Sequence, residues 1–487
     1  MGGVSLVVRP LQLVGTIILA RLLSPSDFGT VTLAMVLIGT SYMFVGLGMD
    51  AALVHSEMDR KKVAFQAFAI SLFSGILSFL VLSINAEIIS SILGDVDVAV
   101  FRGLLPIILF TTLTIVPEAM LSKELRFNRL SAAVIISEIM YMIVAIILAV
   151  MGYGLWSLVY GKIASALVRV ILVWLFNPSW DWIKPKKWDW DIMRSLLRFG
   201  LQTTAGGIVS YFHTHWDDWF VGRQFGTTAL GYYSKAYDLS NNVLSSFSRS
   251  VINGVFFPSY TKIQNEKERL TRVYLKSYYV VLLMMVPISL GMLVLAPELV
   301  PVLLGPKWIP MITTLQIFAF MVLVRPLSEN TVPLFLAVGR PNYMVRAGLV
   351  LSVVMVPLVI GLSNWGIEGV AIAVVISHIA GVAYNLVLVE RILPGIIRPT
   401  LSAFVKFAVM GLLMALCVQL VKPYVLQLVG GIPNVLSLVI LVMVGVVVYC
   451  GLAFLTQKTL IYELVQLFLV GLKIENRFPK LAAKVAE

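Results

Sequence analysis

Charged side chains are scarce in this sequence of 487 residues. Aspartate, glutamate, lysine and arginine make up 13% of the chain, which is half the share of about 25% that soluble domains carry. So little charge cannot cover the surface of a soluble protein, and we therefore exclude a soluble globular protein. No polar stretch between the apolar runs is long enough to form a separate domain, such as a catalytic domain outside a membrane.

Motifs of several functional classes are absent as well. The chain has no Walker, GxSxG or HExxH pattern, which argues against ATP-driven transport and against the hydrolases and metalloproteases that these motifs mark. Cys417 and Cys450, the two cysteines, lie in separate apolar runs, so we expect packing residues and no disulfide. His213 and His215 have no third ligand nearby in sequence, and we expect neither a metal nor a cofactor. No small-residue cleavage site follows the first apolar run, so we expect no cleavable signal peptide.

Long apolar runs are what the sequence has in abundance, since 59% of its residues are hydrophobic. Runs of about 18 residues or more recur from end to end, and each is long enough to cross a bilayer as a helix. The pattern predicts an all-α polytopic membrane protein with about fourteen transmembrane helices. The predicted spans are 4–23, 29–53, 63–84, 98–118, 130–151, 154–176, 195–217, 229–256, 273–296, 310–337, 342–362, 366–389, 402–421 and 436–456.

The basic residues provide a test of these spans. If the N-terminus is cytoplasmic, 26 of the 37 lysines and arginines fall on the cytoplasmic side and five on the outer side. Cytoplasmic loops of membrane proteins carry such an excess of positive charge. We therefore predict that both termini are cytoplasmic. The net charge of +12 is interpreted as this loop bias, with no nucleic-acid partner.

An internal repeat begins with the stretch RLLSPSDFGTVTLA. Its Arg21 and Gly29 recur as Arg223 and Gly231 at a constant offset of 202, and the charge count places both copies in equivalent outer hairpins. Six spans per repeat is an even number, so both halves enter the membrane from the same side and are related by a pseudo-two-fold axis along the membrane normal. Two further landmarks recur in the same order at offsets of 211 and 212, namely Gly94 with Gly305 and Gly154 with Gly366.

The repeat predicts the domain organisation. An N-lobe at 1–176 holds spans one to six, a C-lobe at 195–390 holds spans seven to twelve, and two further spans occupy 391–456. A basic, tryptophan-rich cytoplasmic linker at 177–194 suits the headgroup layer, with a docking site for a partner enzyme as the alternative. The tail at 457–487 is predicted to form a cytoplasmic amphipathic helix at the membrane interface.

Six motifs carry a family resemblance over nearly the whole chain. Through these motifs the sequence resembles the multidrug/oligosaccharidyl-lipid/polysaccharide exporter superfamily. Within this superfamily it is most similar to the polysaccharide transporters that include Wzx-type flippases. The resemblance implies a MATE/MOP-like, two-lobed protein of a bacterial or archaeal cytoplasmic membrane, with alternating access and a lipid-linked oligosaccharide as substrate. The motifs are ARLLSPSDFG at 20–29, MGYGLWSLVYG at 151–161, VGRQFGTTALGYYSKA at 221–236, FFPSYTKIQ at 256–264, LLGPKW at 303–308 and LAVGRP at 336–341.

Basic side chains inside the predicted spans are the candidate substrate-binding residues. A charge near the bilayer midplane costs a few kcal/mol, so such residues usually face a cavity or a partner. Lys162 and Arg169 are seven residues apart on one face of the sixth span and are predicted to form a basic ladder for phosphate. The full predicted set is Arg9, Lys162, Arg169, Lys235, Arg249 and Arg325.

Several of these cations have a structural alternative. Arg9 and Arg169 are near enough to the cytoplasmic headgroups to snorkel. Lys235 lies one turn before an aspartate, and Arg325 lies four residues before a glutamate, so each is also placed to form a local ion pair.

Acidic side chains in the spans are candidates for ion coupling. Glu138 is the first choice, because no basic residue lies within a turn of it. Asp217 and Asp238 are further candidates, although Asp217 and Asp218 lie at the outer end of their predicted span, where the alternative is a solvated carboxylate. With no ATP site, active transport has to draw on a membrane potential or on an ion gradient, for which H⁺ and Na⁺ are the candidates.

The charge balance favours one function over two others. The intramembrane cations outnumber the acids Glu138, Asp238 and Glu329, as expected for an anionic lipid-linked sugar. The first alternative, a multidrug or cation antiporter of the same fold, is expected to show the reverse balance. A membrane glycan polymerase or ligase is less favoured, because it needs a large catalytic loop. Expected partners are the lipid-linked oligosaccharide, membrane lipids, a polysaccharide polymerase and glycosyltransferases.

Overall fold

The computed structural model describes residues 2–56, 58–94, 97–177, 180–247 and 256–458, and the side chains of 2–11, 60, 93, 209, 210 and 243–247 are excepted. Within these ranges every regular element is a helix. The α-helices are α1 (Gly2–Leu22), α2 (Pro25–Gly46), α3 (Met49–His55), α4 (Arg60–Ile84), α5 (Ala86–Leu93), α6 (Val98–Leu104), α7 (Pro106–Lys123), α8 (Phe127–Val150), α9 (Leu155–Phe176), α10 (Trp190–Phe247), α11 (Phe257–Lys262), α12 (Lys267–Leu303), α13 (Ile312–Glu329), α14 (Thr331–Ala337), α15 (Asn342–Leu362), α16 (Gly366–Glu390), α17 (Ile397–Leu428) and α18 (Val435–Thr456).

The start of α2 shows how the sequence sets a helix boundary. Ser24 is the N-cap and Pro25 is the first helical residue, a position where proline loses no hydrogen bond. The Ser24 side chain accepts a hydrogen bond from the Asp27 amide, and Asp27 Oδ2 accepts one from the Ser24 amide at 2.8 Å. This reciprocal capping box satisfies two amides that would otherwise lack partners.

Ten segments of the described chain are helical, long and apolar enough to cross a membrane. This confirms an all-helical, multi-pass membrane protein. One segment, Asn342–Glu390, contains both α15 and α16, which are separated at Gly366 with its φ of 72°. Helix α10 runs for 58 residues and is broken at Gly226, where φ is 83°, so it contains the predicted seventh span and the start of the eighth. The number fourteen stays a prediction.

The chain divides into two compact units. Unit 1 comprises Met1–Ser250, Leu303–Thr314 and Ser352–Val374, and unit 2 comprises Val251–Val302, Leu315–Leu351 and Val375–Glu487. Unit 1 therefore combines the predicted N-lobe with parts of the predicted C-lobe. The lobe boundaries stay a prediction.

The core of unit 1 includes part of the predicted linker. Trp182 is only 1% exposed, and its ring centroid lies 5.5 Å from that of Phe68 on α4 and 5.8 Å from that of Trp174 on α9. The linker is therefore not wholly interfacial, because one of its aromatic side chains fills the core. The other three linker tryptophans, Trp180, Trp188 and Trp190, are exposed.

In unit 2, α17 and α18 pack against each other and contribute to a cluster that also includes Leu295 of α12. Lys422 Nζ lies 2.7 Å from Oε1 of Glu298, which is itself buried. Lys422 directly follows the predicted thirteenth span, and it lies inside α17, where the ion pair joins this helix to α12. Removing one partner would leave the other charge buried without compensation.

Helix α2 packs closely along α10, and we call this contact the α2–α10 seam. A Cβ atom on Gly29 would lie 1.7 Å from the carbonyl oxygen of Thr227, and one on Gly231 would lie 1.9 Å from that of Pro25. Tyr211 donates a hydrogen bond to the Val36 carbonyl at 3.0 Å further along the seam. The two recurring glycines therefore lie at one contact, where only the absence of a side chain allows the backbones to approach.

The stretch 303–308 holds the C-terminal end of α1. Arg21 Nε donates to the Leu303 carbonyl at 3.0 Å, and Trp308 Nε1 donates to the Ala20 carbonyl at 2.8 Å. The buried Trp308 ring also meets the Phe28 ring at 5.6 Å between centroids. The motifs ARLLSPSDFG and LLGPKW, which are far apart in sequence, thus form one tertiary contact.

Candidate functional site

A cavity of about 670 Å³ lies within unit 1 among α2, α3, α7 and α9. Its wall combines aliphatic side chains with hydroxyl, carboxylate and cationic groups. Such a mixture suits a ligand that carries both charge and hydroxyl groups. The polar lining residues are Tyr42, Asp50, Thr111, Thr114, Glu118, Ser122, Lys162, Ser165 and Arg169.

Helix α9 brings both predicted cations of the sixth span to this wall. It begins directly after Gly154, whose φ is 52°, and Lys162 and Arg169 then follow on one face, roughly 10 Å apart along the axis. Both residues line the cavity. Their role as a ladder for phosphate stays a prediction.

Arg169 forms an ion pair with Glu118 of α7. Arg169 Nε donates to Glu118 Oε1 at 2.6 Å, and Nη2 donates to Oε2 at 3.0 Å, the bidentate geometry in which such pairs are strongest. The sequence prediction omitted Glu118, which is the last residue of the predicted fourth span. Arg169 is therefore paired with a carboxylate of a neighbouring helix, and its part in a basic ladder stays a prediction.

Lys162 has a different environment from that of Arg169. Its Nζ lies 4.6 Å from the centroid of the Tyr141 ring on α8, a distance at which a cation is attracted to an aromatic face. Within the described residues no hydrogen bond or ion pair reaches this ammonium. A cation–π contact uses one side of the ammonium, so the remaining N–H donors are available to a ligand in the cavity.

Glu138, the first-choice coupling residue, contacts another helix of unit 1. Its Oε2 accepts a hydrogen bond from Gln12 Nε2 at 3.2 Å, which joins α8 to α1. The carboxylate is half-buried. Its proposed part in ion coupling stays a prediction.

Two other predicted cations form the local pairs that the sequence offered as alternatives. Lys235 Nζ lies 3.4 Å from Asp238 Oδ2 and 4.2 Å from the Phe28 ring centroid. In unit 2, Arg325 Nε donates to Glu329 Oε1 at 2.9 Å. Neither cation needs a substrate to explain its presence in a span.

The side chains of two predicted cations lie outside the described part of the structure. Arg9 lies within α1, but its side chain is outside the described residues, and Arg249 lies wholly outside them. Among the residues that are described, no group of three or more histidine, cysteine, aspartate or glutamate side chains could hold a metal ion.

A separate acidic group occurs on α10. Asp217 and Asp218 lie nine and eight residues before Gly226, inside a continuous helical segment. Asp217 is only 4% exposed and accepts a hydrogen bond from the Tyr233 hydroxyl at 2.7 Å, while Asp218 Oδ2 lies 3.2 Å from His215 Nδ1. The alternative of a solvated carboxylate at a helix end is therefore wrong for Asp217.

Comparison with known proteins places this geometry in a family. The family described as "Polysaccharide biosynthesis protein" matches residues 18–313, which include the cavity and the α2–α10 seam. The chain belongs to this family. The resemblance drawn from the six motifs is thereby confirmed.

Two relatives support the same assignment. The succinoglycan biosynthesis transport protein ExoT of Rhizobium meliloti (strain 1021) is 24% identical over 467 residues, which cover 94% of this chain and 92% of ExoT. The lipopolysaccharide biosynthesis protein WzxC of Escherichia coli (strain K12) is 24% identical over 391 residues, which cover 77% of this chain and 76% of WzxC.

The fold also has a solved counterpart. The lipid II flippase MurJ, in an inward closed conformation, superimposes with a TM-score of 0.75 at 17% identity, covering 94% of this chain and 98% of MurJ. The likeness confirms the predicted fold class. The arrangement of two lobes about a pseudo-two-fold axis stays a prediction.

Proposed function

We propose that the protein is a flippase that moves a polyprenyl-pyrophosphate-linked oligosaccharide across the cytoplasmic membrane for surface polysaccharide biosynthesis. The observation that carries this proposal is the Lys162 ammonium on the wall of a polar cavity, with N–H donors available for a phosphate. The family, and relatives named as polysaccharide transport or lipopolysaccharide biosynthesis proteins, support it.

The physical difficulty is to carry a strongly hydrated headgroup through hydrocarbon. Phosphates and sugar hydroxyls lose their water in lipid at a cost of several kcal/mol per group. In the proposed mechanism Lys162 contributes a compact positive charge to the pyrophosphate. The hydroxyl groups of Thr111 and Ser165 line the same cavity and exchange hydrogen bonds with the sugar hydroxyls, as donors and as acceptors. The lipid tail stays in the bilayer.

Arg169 has a supporting part in this proposal. Its bidentate pair with Glu118 joins α9 to α7 beside the cavity. The pair keeps both charged side chains in fixed positions without adding net charge. The anion therefore meets one cation without a direct ion pair at Lys162, and the electrostatic attraction is strongest at this point of the wall.

The proposal also includes the setting of the flippase. It is an integral protein of a bacterial or archaeal cytoplasmic membrane, with both termini in the cytoplasm, and it operates by alternating access. It is a transporter and not an enzyme, and it receives its substrate from glycosyltransferases and delivers it to a polysaccharide polymerase. Glu138, Asp217 and Asp238 are the candidate residues for coupling to H⁺ or Na⁺.

The cellular test is deletion of the gene. Lipid-linked repeat units are expected to accumulate in the cytoplasmic leaflet of cells that make the polysaccharide and have no second flippase. Leaflet distribution is measured by enzymatic labelling of the glycan in intact cells and in inside-out vesicles. Unchanged delivery of the units to the outer leaflet would contradict the proposal.

The residue-level test is Lys162→Gln, compared with the charge-retaining Lys162→Arg. The glutamine variant is expected to lose at least tenfold in translocation rate, because a charge-assisted hydrogen bond contributes about 1.5–3 kcal/mol, whereas the arginine variant keeps part of the rate. Lys187→Gln, on the exposed linker, removes the same charge outside the cavity and is the control. Equal rates in the two glutamine variants would remove the role of Lys162.

A further inference from the structure

The environment of Asp217 differs from those of the other acids predicted for ion coupling, Glu138 and Asp238. It is 4% exposed, and one carboxyl oxygen, Oδ2, accepts the Tyr233 hydroxyl at 2.7 Å. The second oxygen, Oδ1, is buried and has no hydrogen-bond partner among the described residues. Tyr233 is itself fully buried, so the contact joins the two segments of α10 across the break at Gly226 in a place without solvent.

In the part of the chain that the structure describes, neither a lysine nor an arginine acts on this carboxyl group. The titratable groups that act on it are Asp218, His215 and Tyr233, all on α10, and His215 is already engaged by Asp218 at 3.2 Å. Five residues further along α10, the contact that α2 makes is apolar, since the Leu33 side chain lies against Gly222.

A buried, unpaired carboxylate is costly, and a protonated carboxyl group avoids the cost. In the protonated form Oδ1 carries the O–H, and Oδ2 remains a carbonyl oxygen that accepts the Tyr233 hydroxyl. The other predicted acids lack this reason to hold a proton. Glu138 is hydrogen-bonded to Gln12, and Asp238 is 52% exposed beside Lys235.

We infer that Asp217 is the site that takes up and releases a proton during transport, with burial favouring the protonated form in this conformation and Tyr233 fixing the orientation of the carboxyl group. The inference rests on the proposed function for its link to transport. Separation of the two α10 segments breaks the Tyr233 hydrogen bond and admits water, and the proton then passes from the Asp217 carboxyl group to that water. A sodium ion fits this place poorly, because cations of this kind need several oxygen ligands and only Oδ1 is available.

The first experiment detects the proton directly. The full-length protein in lipid vesicles is studied by infrared difference spectroscopy across a pH titration, which follows the carbonyl stretch of protonated carboxyl groups. A band is expected that is absent from Asp217→Asn, retained in Asp218→Asn, and shifted in frequency in Tyr233→Phe, which removes the hydrogen bond and little else. Persistence of the same band in Asp217→Asn, or its loss in Asp218→Asn alone, would overturn the inference.

The second experiment measures coupling. Vesicles are loaded with polyprenyl-pyrophosphate-linked N-acetylglucosamine as the probe, and its transfer between leaflets is followed with and without a pH gradient. The wild type is expected to respond to the gradient by tenfold or more, and Asp217→Asn is expected to transfer the probe at one rate under both conditions. A response to a sodium gradient in place of the pH gradient would overturn the inference.

The two experiments separate this inference from the flippase proposal. If the wild type transfers neither this probe nor lipid-linked units extracted from the producing cells, while the Asp217 band is present, the flippase proposal fails and the proton site remains. If the probe is transferred and Asp217→Asn behaves as the wild type does in both assays, the proton site fails and the flippase remains.

Discussion

The α2–α10 seam makes a directional prediction about the transport cycle. At the end that carries the Arg21 hairpin, predicted to be the outer end, a Cβ on Gly29 would lie 1.7 Å from a carbonyl oxygen. At the opposite end a Cβ on Gly200 would lie 2.1 Å from the Leu47 carbonyl oxygen. If transport requires the seam to open at one end at a time, Gly29→Ala favours the outward-open state and Gly200→Ala favours the inward-open state.

The magnitude follows from the distances. Nonbonded atoms prefer a separation of roughly 3.5 Å, so an alanine at either position forces the two backbones apart by about 1.5 Å. Overpacking of this kind costs typically 1–3 kcal/mol, and the cost falls only on the state in which that end of the seam is closed. A cost of about 1.4 kcal/mol in one of two states changes their ratio about tenfold.

The assay is accessibility of the cavity to a membrane-impermeant maleimide. Cys417 and Cys450 are first replaced by serine, and Ser165→Cys then supplies a single reporter on the cavity wall. Labelling of intact cells reports opening to the outside, and labelling of inside-out vesicles reports opening to the cytoplasm. We expect about tenfold faster labelling of intact cells for Gly29→Ala.

The matched variants decide the result. Gly200→Ala is expected to speed labelling in inside-out vesicles only. Gly206→Ala, at a helical position with nothing within 4 Å of the added carbon, is expected to change neither rate. Equal labelling of all three variants, with normal protein levels, would refute the reasoning. Faster labelling from the same side of the membrane in both Gly29→Ala and Gly200→Ala would also refute it, because the two ends of the seam would then not open alternately.

Three further predictions concern stability, each measured by thermal unfolding in detergent. Glu118→Gln leaves Arg169 without its partner and is expected to cost about 1–3 kcal/mol, less than the 3–5 kcal/mol for a fully buried pair, because the Arg169 side chain is 39% exposed. Trp182→Ala empties the core of unit 1 and is expected to cost about 3–5 kcal/mol, whereas Trp190→Ala, at a site 70% exposed, should leave the unfolding temperature unchanged. Lys422→Met leaves the buried Glu298 without its ion-pair partner and is expected to weaken the packing of α17. The unfolding temperature is expected to fall by several degrees.

The fold class was accessible from the sequence because it depends on composition and run length. An apolar run of spanning length forms a helix in lipid, because no water is present there and the helix satisfies each backbone N–H and C=O group by an internal hydrogen bond. The six motifs then identified the family. The position of Trp182 was not accessible, because a tryptophan in a linker that is rich in lysine suits a headgroup layer as well as a core. Only the contacts with α4 and α9 distinguish the two environments.

The site was partly accessible. Charges in apolar runs pointed to Lys162 and Arg169, which line one cavity, because an intramembrane cation has to face something polar. The partner of Arg169 was missed, since Glu118 stands 51 positions away in sequence and at the end of an apolar run, where acids are normally solvated. Only the structure shows that α7 continues past Glu118 to Lys123, which keeps this carboxylate beside the cavity.

The recurring motif gains a physical meaning from its contacts. Arg21, from the first copy, donates to the backbone beside Gly305, a landmark of the second half. In return Arg223, from the second copy, lies against Gly94, a landmark of the first half, with its Cδ 3.2 Å from the position of an added Cβ. Each arginine thus lies at or near a glycine landmark of the other predicted half. Halves related by a two-fold axis would produce such a reciprocal exchange, and one hairpin packing on its own half would not.

The glycines of the motif follow the same rule. Gly29 approaches Thr227 while Gly231 approaches Pro25, and Thr227 stands 202 positions after Pro25, the same offset that relates the glycines. Small residues recur in many membrane helices for simple packing reasons, but those reasons do not require two contacts to exchange partners at one offset. The predicted duplication would explain both exchanges together, and it would give the repeat a physical role, because the two copies of the hairpin contact each other at one end of the seam.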